Sequence, residues 1–318
     1  MMRPGARGTA QVLVVLLAAA AHAHLPAQTL TRNLVYGVRG TSDTLRYDLY
    51  LPAPRIARAD ASGWPTPLLV FAHGGAFSEG RRDDGSVADF ARGLSERGIA
   101  VACISYRLTL KGTGMGCDVP ASRKRAAIAA ASQDLLLAVE YLLGKGLPSG
   151  CSRSSVLIGG TSAGAEAALH AAFRTRQSLP EAVAAALDGV VSFAGALEAP
   201  APAQGVHPAL LAIHGTCDAL VPYGEAIHRF CPESADNLLL VGGGGLHGCL
   251  SDAGSPSALL SLSGAGHEVA SKALADPAIQ DRVADFVRTV SRGRSPSYAV
   301  TVPGAKASKC PPSRLPCN

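Results

Sequence analysis

The residues best placed to do chemistry lie in Gly160-Thr161-Ser162-Ala163-Gly164. This run follows the apolar stretch Val156-Leu157-Ile158 and precedes an alanine-rich segment. A serine on a sharp strand-to-helix turn holds its Oγ clear of the backbone, and its neighbours must be small for the turn to close. Gly160 and Gly164 supply that room, and the amino terminus of the following helix favours negative charge beside Ser162. Such a serine can attack a carbonyl and pass an acyl group through a covalent intermediate. A lone G-x-S-x-G in an Ala/Gly-rich chain also describes a mere tight turn. The strand–turn–helix context gives it weight.

Acyl transfer needs donors for the oxygen that becomes anionic. Ala72-His73-Gly74-Gly75-Ala76-Phe77 ends the apolar run Leu68-Leu69-Val70-Phe71. Its small residues leave the N–H groups of Gly74, Gly75 and Ala76 uncovered, and the N–H of Ala163 is the expected second donor. His73 reads as a loop-shaping residue. The serine also needs a base, and the base an orienter. Asp218 stands in His214-Gly215-Thr216-Cys217-Asp218, after the apolar run Leu210–Ile213, where α/β sites assemble. Asp188, Asp236 and Asp252 are rivals without that placement. His267 follows Leu259–Leu262 through the small residues Ser263-Gly264-Ala265-Gly266. His247, in a glycine-rich stretch, is its rival; His207 and His214 read as structural. Glu166, four residues after Ser162, reads as a first-turn carboxylate favoured by the helix dipole, or else as a group that positions water or substrate.

These residues need strands and helices that alternate. Apolar runs predict strands over 33–40, 45–52, 68–73, 100–106, 155–159, 189–194, 210–214 and 259–262. Helices are expected over 86–97, with Ser86 as N-cap and Gly98 as its stop, and over 126–143, 163–174 and 279–291. A first hairpin followed by βα alternation predicts one α/β domain, residues 29–292, on a mostly parallel sheet of about eight strands. Residues 293–318 are expected to be a loosely attached basic tail containing Pro, Ser and Cys.

Taken together, the chain resembles the α/β-hydrolase superfamily. Within it, the chain is similar to secreted carboxylesterases of the bifunctional feruloyl/acetyl-xylan type and to hormone-sensitive-lipase-like esterases. The matching pieces are His73–Phe77, Ser105-Tyr106-Arg107-Leu108, Gly160–Glu166, His214–Tyr223 and Gly264–His267. The resemblance covers about residues 33–291. It implies Ser162 as nucleophile, Asp218 as acid, His267 as base, and no metal or other cofactor. The family's usual third glycine is Ala76 here, which still offers an N–H. Only the short stretch 195–209 stands where relatives often insert a lid, so the lid is expected to be minimal. The implied substrate is a small-molecule or polymer-displayed ester. A serine peptidase of the prolyl-oligopeptidase-like type and a non-catalytic hydrolase-fold binding protein are the alternatives; no propeller precedes the domain, and no triad member is missing.

Composition narrows the classes further. The 318 residues are 47% hydrophobic, 17% charged and only 5% aromatic. A sizeable core can form, and an aromatic platform for nucleic acid is excluded. The formal charge is +5, but Arg3, Arg7, Arg292, Arg294, Lys306, Lys309 and Arg314 lie at the ends. Removing those seven from 29 bases leaves 22 against 24 acids, so no nucleic-acid groove is expected. Arg3 and Arg7 precede ten apolar residues and Ala21-His22-Ala23, which reads as a signal peptide over 1–23; cleavage after Ala27 or Gln28 is the second choice. A secreted or periplasmic protein is expected, and no later segment is expected to reach membrane-spanning length. Eight cysteines in an exported chain permit disulfides. The expected partner of Cys217 is Cys231 or Cys249. Cys310 and Cys317 could staple the tail locally, and Cys103 is expected as a buried free thiol. Oligomeric state is left open.

Overall fold

Short apolar strands line up as the middle of one nine-stranded sheet. The protein is described by a computed structural model covering residues 29–40, 43–53, 63–175, 178–202, 205, 207–304 and 309–317. The expected signal peptide lies outside the described residues. The elements run β1 (Thr29–Arg39), β2 (Asp43–Leu51), β3 (Thr66–Ala72), α1 (Gly85–Glu96), β4 (Ala100–Ile104), α2 (Ala121–Tyr141), β5 (Cys151–Thr161) and α3 (Ala163–Phe173). Then come α4 (Glu181–Ala186), β6 (Leu187–Phe193), β7 (Ala196–Glu198), β8 (Ala209–Gly215), β9 (Glu225–Ile227), β10 (Leu239–Gly242) and α5 (Gly243–Asp252). The chain finishes with β11 (Ser257–Ser263), α6 (Val269–Lys272), α7 (Pro277–Ser291) and β12 (Ser297–Pro303).

The sheet order is β1-β2-β4-β3-β5-β6-β8-β11-β12. The first two pairings, β1 with β2 and β2 with β4, are antiparallel, and every later one is parallel. Strands covered on both faces have no reason to alternate apolar and polar residues, and β3, β4 and β8 are apolar almost throughout. The eight expected strands are all present. The ninth, β12, was expected to be tail. Its partner β11 leaves an edge that the 297–303 segment pairs in parallel, so the tail is part of the sheet rather than loosely attached.

One face of the sheet packs against α2, α3 and α5, and the other against α1 and α7. On the second face Phe71 lies 4.7 Å from Phe90 between ring centroids, and Phe193 meets both edge-on. Asp276 caps α7 by accepting from the N–H groups of Ala278 and Ile279, with Pro277 at the first helical position. The N-cap of α1 is Asp84, two residues before the expected Ser86, and Gly98 ends it at φ +85°. By length and composition alone Ala121–Gly146 could cross a bilayer, against the expectation that no later segment reaches that length. Half of its apolar window is buried inside the protein, where Ala127, Ala131, Leu135 and Val139 face the core, so α2 is a core helix.

A small antiparallel sheet of β7, β10 and β9 stands beside the main one, its first strand beginning three residues after β6 ends. Among the described residues no large lid insertion follows β6. The disulfides are Cys117–Cys231, Cys217–Cys310 and Cys249–Cys317. The expected partners of Cys217 are therefore corrected: it pairs with the carboxyl-terminal Cys310, because β12 carries that segment back along β11 to the Asp218 loop. Cys310 and Cys317 likewise do not staple each other. Cys103 is a buried free thiol in β4, and Cys151 is also free.

Candidate active site

Ser162 sits between β5 and α3 at φ +49°, a left-handed backbone that L-residues seldom adopt. The turn is held by Ser162 N–H donating to Phe193 O and by Glu166 N–H donating to Ser162 O. Its glycines are steric necessities. A Cβ on Gly160 would stand 2.3 Å from the carbonyl carbon of Gly164, and one on Gly164 would stand 2.3 Å from the carbonyl oxygen of Ala72. The elbow thus presses directly on the end of β3, where the Gly74–Ala76 loop begins.

Three loops at the carboxyl ends of β5, β8 and β11 bring Ser162, Asp218 and His267 together. Ser162 Oγ is 2.9 Å from His267 Nε2. His267 Nδ1 is 2.7 Å from Asp218 Oδ2. A carboxylate only accepts, so Nδ1–H donates to Asp218 and Nε2 presents its lone pair to the serine hydroxyl. Asp218 is buried, and its Oδ1 accepts from the N–H groups of Leu220 at 2.8 Å and Val221 at 2.9 Å. Burial alone would raise its pKa. Hydrogen bonds from His214 and His267 outweigh that and hold it well below the usual carboxylate range.

His214 reads from sequence as purely structural, yet it touches the acid. Gly243 N–H donates to its Nδ1 at 3.1 Å, which places the proton on Nε2. That nitrogen lies 3.1 Å from Val221 O and 3.4 Å from Asp218 Oδ2. The rival groups lie elsewhere. Asp236 accepts from Ala121 N–H at the start of α2, Asp188 lies in β6 and Asp252 ends α5. His247 bonds Ser257 Oγ within that region, and His207 stacks near Phe173.

The loop expected to hold an oxyanion is built around His73. Its Nδ1–H donates to Gly74 O at 2.7 Å, and Tyr106 stacks on its ring while donating its hydroxyl to His73 O. Burial lowers the His73 pKa, so the ring is a neutral spacer. Gly75 at φ +109° and Ala76 at φ +52° turn the chain back on itself, and Ser78 and Glu79 N–H groups close that turn on Gly75 O. Among the described residues the N–H groups of Gly74, Gly75 and Ala76 have no acceptor. Ala163 N–H opens α3 and has no intrahelical acceptor. All of these groups line one cavity of about 610 Å³ together with Ser162 and His267.

Glu166 is not a solvated dipole partner. It is buried, its Oε1 has no hydrogen-bond partner, and burial pushes its carboxyl up to about 8. His228 and Arg229 also line the cavity, and nothing in their sequence neighbourhood marks them. Among the described residues no group of three or more His, Cys, Asp or Glu side chains is placed to hold a metal ion.

Residues 48–204 match the family model BD-FAE. A probable isoprenylcysteine alpha-carbonyl methylesterase of Oryza sativa subsp. japonica is 38% identical over 82 residues, which are 26% of this chain and 16% of that protein. The chain therefore spans only a small part of that curated relative. The apo form of Thermogutta terrifontis esterase 2 superposes with a TM-score of 0.59 at 16% identity, covering 84% of this chain and 96% of that one. A truncated carbohydrate esterase from gut microbiota superposes with a TM-score of 0.57 at 18% identity, covering 85% and 99%. With the nine-stranded sheet and the elbow in place, the chain has the fold of these esterases, and over residues 48–204 it is similar to BD-FAE.

Proposed function

We propose that the protein is a serine hydrolase of carboxylic esters, with Ser162 as nucleophile, His267 as base and Asp218 as acid. The observation that carries this reading is the continuous chain Ser162 Oγ–His267 Nε2, His267 Nδ1–Asp218 Oδ2, at 2.9 and 2.7 Å. Ser162 Oγ attacks the ester carbonyl as its proton passes to His267 Nε2. The charge that forms on the imidazolium faces the Asp218 carboxylate, and the oxyanion faces the free N–H groups of Gly74, Gly75, Ala76 and Ala163. Collapse of the tetrahedral intermediate expels the alcohol with the proton from His267. Water, deprotonated by the same nitrogen, then releases the acid and restores Ser162.

The cavity supports the substrate part of this reading. Its volume suits a small ester or one displayed on a larger molecule. Export remains part of the reading: it rests on the 1–23 pattern, and the three disulfides support it. The experiment is hydrolysis of p-nitrophenyl acetate against an aminoacyl-nitroanilide, with fluorophosphonate labelling of Ser162. Ester turnover with labelling lost in Ser162→Ala is expected. Preference for the anilide makes the protein a peptidase, and absence of both turnover and labelling makes it non-catalytic.

A further inference from the structure

Three polar side chains on one side of the catalytic cavity lack partners. Glu166 Oε1 and His228 Nδ1 are buried without a hydrogen bond. Arg229 is half-buried, and its guanidinium takes no hydrogen bond or ion pair among the described residues. Other partly buried arginines are paired: Arg82 with Asp48, Arg97 with Asp281, Arg107 with Asp134. All three unpartnered residues line the cavity that holds Ser162 and His267. A buried polar group without a partner is unfavourable unless a ligand supplies one.

The backbone at this place is fixed in advance. Arg229 has φ +59° and Phe230 φ +52°, both left-handed. Arg229 N–H donates to Leu220 O at 3.0 Å and His228 N–H to Leu238 O at 2.8 Å. The Cys117–Cys231 disulfide pins the chain two residues on. Such a backbone persists where the surroundings determine it, often at ligand sites.

The charge balance at this wall is positive. Lys124 is buried with its Nζ on Asn237 Oδ1 at 2.7 Å, and it and Arg229 both act electrostatically on Glu166 and His228. Glu166, pushed up to about 8 by burial, is mostly neutral near pH 7 and does not cancel them. His228 is driven down to about 3 by burial and then by Lys124 and Arg229, so it too is neutral. Glu79, Arg81 and Asp84 of the oxyanion segment also line the cavity; the Arg81 guanidinium is already paired with Asp83, and Asp84 accepts from Arg81 N–H. The 79–84 segment thus brings two carboxylates and a guanidinium that Asp83 already engages, whereas Arg229 brings a guanidinium with its donors unengaged.

We propose that Arg229, with His228 and Glu166, forms a subsite for a carboxylate carried by the ester substrate. The preferred esters are then half-esters of dicarboxylic acids and comparable acidic esters. A guanidinium matches a carboxylate with two parallel N–H bonds, which gives it direction as well as charge. The inference rests on the esterase reading above and goes beyond it in naming the substrate's charge.

The test uses monomethyl esters of the C4 to C8 dicarboxylic acids, each beside the methyl ester of the matching carboxamide. Methanol release gives kcat/KM for each. At least one carboxylate ester is expected to exceed its carboxamide by tenfold or more, with the ratio falling as salt is added. In Arg229→Gln the ratio falls towards one, and Arg229→Lys keeps part of it; a general loss of activity cancels in the ratio. A ratio near one throughout the wild-type series, or one unmoved by Arg229→Gln, overturns the subsite. Calorimetric binding of the free dicarboxylates to the Ser162→Ala protein reads it without turnover. Binding weakened at least tenfold by Arg229→Gln supports the subsite, and no binding overturns it. Failure of p-nitrophenyl acetate turnover and of fluorophosphonate labelling is a separate result that strikes the esterase reading.

Discussion

At the scale of residues, the proposed mechanism makes Ser162, Asp218 and His267 one unit, so losses should not add. Ser162→Ala and His267→Ala are each expected to lower kcat by on the order of 10⁴–10⁶, and the double variant by little more. Asp218→Asn should cost about 10⁴, because an amide facing His267 Nδ1 favours the wrong tautomer. Steady-state kinetics with circular dichroism as a folding control decides this, and near-normal turnover in Ser162→Ala would sink the assignment. Glu166 gives a second prediction through stability. Its native pKa of about 8 lies above the ordinary carboxylate value, so the unfolded chain ionises first as pH rises. Folding stability is therefore highest below the ordinary value, declines as pH climbs from there to about 8, and levels off above. Glu166→Gln removes that decline. The variant should gain several degrees in Tm over the wild type at pH 8 relative to the gain at pH 4.5; a gain independent of pH counts against a buried neutral carboxyl. That Ser162, Asp218 and His267 come together was legible because each follows a strand on a small-residue loop, a local pattern. His214, His228 and Arg229 were not. Their roles depend on which backbone groups arrive from elsewhere: Gly243 N–H at His214, Leu220 O at Arg229.

At the scale of elements, the elbow is a contact between backbones. Gly164 touches the carbonyls of Ala72 and His73, so the start of α3 positions the oxyanion loop directly. Gly164→Ala should destabilise by about 3 kcal/mol or more, since neither backbone can retreat. It should also cut kcat disproportionately, because a shift of about 1 Å at the donors costs on the order of 10². Gly85→Ala is the contrast: nothing lies within 4 Å of its added Cβ, and it should be neutral or stabilising by up to about 1 kcal/mol. Chemical denaturation measures both, and equal effects of the two would refute the elbow contact. The same closeness explains an element that sequence hid. Gly243-Gly244-Gly245 looks like loop, yet it opens α5. Added Cβ atoms there would meet Ala212 and His214, the Tyr223 ring, and Val241. Glycine is chosen for approach, not for disorder. The strand β12 was hidden for another reason: it is mostly exposed and lies among Pro, Ser and Lys, and only its pairing with β11 makes it a strand.

At the scale of the whole molecule, the chain closes on itself through its last residues. β12 lies along β11, Arg314 bridges to Glu225 in β9, Cys317 reaches α5 and Cys310 reaches the acid loop. The Arg314–Glu225 pair joins an exposed guanidinium to a largely buried carboxylate, and screening on the exposed side limits what it contributes. The disulfides contribute more, because closing a loop with a sequence separation of 93 is worth up to about 4–5 kcal/mol in the chain-entropy model, with wide scatter. The two bonds should nevertheless differ in what they do for activity. Cys217 adjoins Asp218, and Cys217 N–H donates to Ala265 O, two residues before His267. The Cys217–Cys310 bond therefore holds the loop that joins acid to base, whereas Cys249–Cys317 anchors α5. Cys310→Ser should lower Tm by several degrees and kcat/KM together, with the loss in kcat rather than KM, since the carboxylate is misaimed while the cavity remains. Cys317→Ser should lower Tm by a comparable amount and leave kcat/KM within about twofold. Thermal melts, ester kinetics and mass mapping under non-reducing conditions separate these outcomes. A free Cys217 thiol in fully active protein, or equal activity losses in the two variants, would show that the acid loop is aimed by its own hydrogen bonds alone.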